Sequence, residues 1–116
     1  MRSLILFIFI ATGAAAEGWN VRTGDTPLDR QAVVAMLEGR ILTFFDDGQS
    51  KFSVGGAYSY TYANGGGTAY GAFEVRADGT VCIAFRNGFG RCDRYVRNNG
   101  RFVMLTEKGE RFPIRP

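Results

Sequence analysis

The chain has 116 residues, with 14 Lys and Arg against 11 Asp and Glu, a formal net charge of +3, 16 Gly, two Cys and no His. A chain of this length holds one small domain. Without His, Ser-His and Cys-His nucleophilic catalysis and His-ligated metal sites are excluded, and the mild charge balance leaves no footprint for nucleic acid.

Met1 and Arg2 are followed by the apolar run Leu4 to Ala11 and then by Ala14, Ala15 and Ala16. A positive start, a short apolar core and an A-x-A ending are the parts of a secretory signal peptide, so residues 1–16 are expected to be removed before Glu17. The apolar run is shorter than the roughly 20 residues that a helix needs to span a bilayer. The mature protein is therefore expected to be periplasmic or secreted, with no transmembrane segment. Residues 17–27 have no clear period and are read as a leader that packs through Trp19 or stays mobile; residues 28–116 form the single domain.

One helix is predicted next. Asp29 can cap it, Leu28 and Val33 can staple its start, and Ala32, Val33, Met36 and Leu37 make an apolar stripe that ends before Gly39. A second possible start uses Thr26 as the cap and Pro27 as the first helical residue.

From Ile41 onward, runs rich in Phe, Tyr, Val, Ile and Thr alternate with turn residues. The turns are centred on Asp46 to Gly48, Gly55-Gly56, Asn64 to Gly67, Ala77 to Gly79, Asn87-Gly88, Asn98 to Gly100 and Lys108-Gly109. Gly and Asn at these places supply the positive φ of tight hairpins. The predicted fold is mainly β: a short N-terminal helix followed by an eight-stranded antiparallel meander, closed or nearly closed into a small barrel that leaves no edge. A curled open sheet packed on the helix is the competing form. Phe44 or Phe45, Phe52, Phe73, Phe85, Phe102 and Phe112 are available to fill the interior.

Cys82 and Cys92 flank the Asn87-Gly88 turn, and a pair of cysteines in an exported chain suggests a disulfide. A three-residue loop, Arg86 to Gly88, puts Cys82 opposite Cys92; a two-residue turn offsets them. Val81, Ile83 and Phe85 look like one buried face, which would turn Cys82 to the other side.

Tyr58, Tyr60 and Tyr62 alternate with Ser59 and Thr61 and so share a strand face suited to a wet binding surface, with Tyr70 beyond the Gly-rich loop able to join them. Among the arginines near the following hairpins, Arg91 and Arg94 complete the candidate binding set. No residue is assigned a catalytic or metal-ligating role, and no cofactor is expected, because no nucleophile, base or regularly spaced oxygen set stands out. The function expected is a non-enzymatic binding or interaction module acting on a periplasmic protein or an envelope polymer. The alternative is a lipocalin-like carrier with a small apolar ligand inside the barrel.

Leu37-Glu38-Gly39-Arg40-Ile41-Leu42-Thr43, Thr68-Ala69-Tyr70-Gly71, Asp78-Gly79-Thr80-Val81-Cys82 and Arg91-Cys92 together resemble a group of small exported proteobacterial proteins. The resemblance implies a periplasmic helix-plus-β module with one disulfide and brings no catalytic residues with it. Ser53-Val54-Gly55-Gly56-Ala57-Tyr58 is more loosely similar to the inhibitory loop of the periplasmic C-type lysozyme inhibitors, which are small eight-stranded barrels with disulfides.

Overall fold

A computed structural model describes residues 18–116. The signal segment expected at residues 1–16 lies outside the described residues.

The chain opens with a two-residue strand, β1 (Thr26–Pro27), followed by helix α1 (Arg30–Leu37). Asp29 caps the helix, its carboxylate accepting the Ala32 N–H at 2.9 Å, as a short extended-backbone side chain does for an orphan amide. The longer helix starting at Thr26 does not form. Thr26 and Pro27 pair instead with Arg97 and Val96, and the Leu28 N–H donates to the Tyr95 carbonyl at 3.1 Å, so these residues stay extended. Gly39, at φ +76°, turns the chain out of the helix and into the sheet.

The sheet is an antiparallel meander of eight strands: β2 (Arg40–Thr43), β3 (Gln49–Phe52), β4 (Ala57–Thr61), β5 (Thr68–Val75), β6 (Val81–Phe85), β7 (Gly90–Asn98), β8 (Arg101–Thr106) and β9 (Arg111–Pro113). Each of the seven predicted turn clusters joins consecutive strands. β1 lies beside the part of β7 that β6 leaves uncovered.

The meander curls strongly but does not close. Phe44 forms one isolated bridge with Ile114, supported by the Arg115 N–H donating to the Thr43 carbonyl at 2.8 Å. The expected closed barrel gives way to an open half-barrel because β9 is three residues long and ends in Pro113, which has no N–H to donate to a ladder.

The concave face is filled. Val33, Met36 and Leu37 of α1 pack with Leu42, Phe44, Phe52, Tyr58, Val81, Ile83, Tyr95 and Met104, and Phe73, Phe85 and Phe102 pack against them in part. Phe52 meets Phe73 edge-on at 5.0 Å between ring centres. Phe45 and Phe112 remain exposed.

The convex face carries a smaller cluster, Val96, Val103 and Leu105, covered by Trp19. The leader is held there by more than its indole. Asp25 accepts from both Nη atoms of Arg111 at 2.7 and 2.9 Å and from Asn98 Nδ2 at 2.7 Å, while Asn20 Nδ2 donates to the Gly109 carbonyl at 2.9 Å.

Cys82 and Cys92 are directly opposite and bonded. The three-residue loop is the one formed: the Phe85 N–H donates to the Phe89 carbonyl at 2.8 Å, with Gly88 at φ +96°. The bridge sits on the convex side, across from buried Val81 and Ile83, as the alternation of apolar residues indicates. Closing so short a loop contributes roughly 2–3 kcal/mol in the chain-entropy picture.

Candidate functional site at the open mouth of the half-barrel

Strand register decides which of the expected binding residues can act together. Side chains directly opposite in an antiparallel pair share a face. Tyr60 pairs with Ser50 and Tyr58 with Phe52, which puts Ser50, Tyr58 and Tyr60 on the concave face; Ser59 pairs with Tyr70, which puts Tyr70 on the convex face. In β7, Arg91 is opposite Ile83 and Asp93 opposite Val81, both concave, whereas Arg94 is opposite Leu105 and convex. The expected set therefore divides. Tyr60, Tyr62 and Arg91 belong to the concave side and its rim, while Tyr70 lies beneath the Arg86 guanidinium, 5.3 Å from the ring centre, and Arg94 lies over Trp19 and donates to the Asp78 carbonyl.

Tyr58 is no part of an exposed surface. It is 2% exposed, and its hydroxyl is 2.9 Å from Ser50 Oγ, also buried. Burial pushes its phenol up from the usual value. Above it, Tyr60 reaches outward across Gly48, where a Cβ would collide with the phenol oxygen, and meets Tyr62 edge-on at 4.9 Å. Burial first and the Asp46 carboxylate second raise the Tyr60 phenol.

A pocket of about 140 Å³ has Tyr60 as one wall and is also lined by Phe44, Asp46, Arg91, Met104 and Phe112. It lies on the far side of the Phe44 bridge from the helix. Behind it is Asp93, 1% exposed. Arg91 Nε donates to Asp93 Oδ2 at 3.1 Å, and among the described residues Oδ1 has no hydrogen-bond partner. Desolvation pushes the Asp93 carboxyl up to about 6 against the opposing pull of Arg91. The buried Tyr95 phenol is pushed well up by desolvation first and by Asp93 second.

The mouth combines aromatic and thioether surface with one carboxylate, one guanidinium and one phenol. That chemistry suits a single inserted group that stacks on rings and hydrogen-bonds at its edge. Asp93 is not among the residues that line the pocket, and its raised carboxyl follows from its own burial. Among the described residues no three Cys, Asp or Glu side chains gather as metal ligands do.

Asp93, Ser50 and the lining residues Phe44, Asp46, Met104 and Phe112 are not in the sequence-predicted set. Asp93 had a signal: it alternates with Arg91 and Tyr95, so an aspartate shares a face with a core tyrosine. No protein family, curated protein or solved structure matches the chain.

Proposed function

We propose that this protein is a non-enzymatic binding module of the periplasm or extracellular space, which engages a protein or envelope polymer by taking one projecting group of that partner into the mouth of the half-barrel. The size of the mouth carries the reading. At about 140 Å³ it is well below the roughly 300–1,000 Å³ of pockets that enclose a whole small ligand, yet it accommodates one side chain or part of one sugar ring. A disulfide between adjacent strands supports an oxidising compartment. The filled concave face does not favour the carrier alternative.

Paired variants test this. Tyr60→Ala with Tyr62→Ala should abolish capture of an envelope partner, while Tyr70→Ala, on the opposite face, should leave it intact. Equal capture by both proteins would end the proposal. The resemblance of Ser53 to Tyr58 to a lysozyme-inhibitor loop makes a C-type lysozyme the first bait, and isolated envelope polysaccharide the second.

A further inference from the structure

On the helix side of the Phe44 bridge the half-barrel is unzipped, and the gap is basic. A groove of about 520 Å³ runs between β2 and the start of β8, lined by Arg40, Ile41, Arg101, Phe102 and Arg115. A second groove of about 370 Å³ shares Arg40 and Phe102 with it and adds Arg97. Arg101 and Arg115 both lie close to the exposed Phe45 ring, 5.7 and 5.6 Å from its centre, and Arg97 lies 4.7 Å from that of Phe102. Rings thus hold three guanidiniums along one opening. Asp47 pairs with Arg115 at 2.7 Å; among the described residues Arg40, Arg97 and Arg101 form no ion pair.

Among the described residues the backbone beside these arginines is also unused. The Phe44 N–H donates to the Gly48 carbonyl at 2.9 Å, and hydrogen-bonded pairs alternate along an antiparallel ladder. Arg40 and Leu42 therefore direct their backbone groups to β3, and Ile41 directs its N–H and C=O toward the groove. An open strand edge is a template for another strand. A second copy of this chain would bring its own Arg40 to the same edge, and like charges facing each other oppose that pairing.

The geometry points to this seam as a strand-addition site for an extended acidic segment of a partner protein, which bonds to Ile41 through its backbone and to Arg40, Arg97 and Arg101 through its carboxylates. The site is separate from the mouth, and its test leaves every mouth residue in place.

The probe is a fluorescein-labelled octapeptide of alternating Glu and Val, titrated into the purified protein at low salt and followed by anisotropy, with amide exchange read by NMR. Arg40→Gln with Arg101→Gln, both exposed positions, should weaken binding at least tenfold without moving the thermal midpoint by more than a few degrees. A Lys-for-Glu peptide should not bind, and N-methylation of alternate peptide amides should cost at least tenfold. Exchange of the Ile41 amide should slow severalfold in the complex. Absence of binding at millimolar peptide, equal binding by the arginine variant, or equal binding of the N-methylated peptide would each overturn the proposal, the last by reducing the site to one for free anions, which inorganic phosphate competition would then confirm. A concentration-dependent dimer that protects Ile41 without peptide would overturn it in favour of a second copy.

Discussion

Two aspartate–arginine pairs hold opposite faces of the same curled sheet, and they behave as opposites. On the convex face Asp25 accepts two bonds from Arg111 and one from Asn98, and the Arg22 N–H donates to it at 2.7 Å. Hydrogen bonding to Arg111 outweighs desolvation and holds its carboxyl well below the usual range. On the concave face Asp93 has, among the described residues, one donor, Arg91, and an oxygen with none, and desolvation wins. Depth differs as well: the Asp25 side chain is covered by its partners while the residue is only half-buried, whereas Asp93 is fully buried. The number of donors and the depth together, not the presence of an arginine, decide whether a buried carboxylate stabilises a fold.

The largest effect should come from the satisfied pair. Asp25→Ala leaves Arg111 and Asn98 without their acceptor and frees the leader, and should cost about 3 kcal/mol in chemical denaturation at pH 7. Next comes the pH profile. Asp93 has a carboxyl raised from 3.8 to about 6 when folded, so the native state binds more protons between those values, and stability should fall as pH rises through this window by up to about 3 kcal/mol. Asp25 has the reverse sign: its contribution is present above the ordinary carboxylate range and is lost on acidification. Asp93→Asn should remove the first slope and Asp25→Asn the second; unchanged profiles would break the comparison.

A smaller effect separates the two pairs most clearly. At pH 8, Asp93→Asn removes a poorly satisfied buried charge and leaves Arg91 with access to water, so stability should rise by about 1 kcal/mol where Asp25→Asn lowers it. Smallest of all, Arg76→Gln breaks an exposed pair with Glu74 at 3.4 Å and should shift stability by less than about 0.5 kcal/mol.

The hairpins were legible because their requirements are local. Gly88 needs positive φ and Asp29 needs only the Ala32 amide, so turn residues and caps locate both. Alternation likewise places Cys82 away from Val81. Failures occur where the deciding contact is distant. Tyr58, Tyr60 and Tyr62 alternate correctly, but alternation does not say which is deep, and β4 stops at Thr61 before Tyr62. Tyr70 lies across from Ser59 through a register set by the Gly-rich loop. The leader has no period because Asp25 meets Arg111, 86 residues away. Openness at the seam depends on Pro113 and on a last strand too short to zip.

The one-point closure at Phe44 and Ile114 has a kinetic consequence. Every pairing in the meander joins sequence neighbours, a low-contact-order arrangement that favours rapid folding. The Phe44–Ile114 bridge spans the whole meander, and, like the β1–β7 pairing, it closes a loop far longer than any hairpin, at a correspondingly higher entropic cost. It should form after the transition state, so that Ile114→Ala accelerates unfolding and leaves the refolding rate nearly unchanged: the half-barrel assembles hairpin by hairpin and latches last.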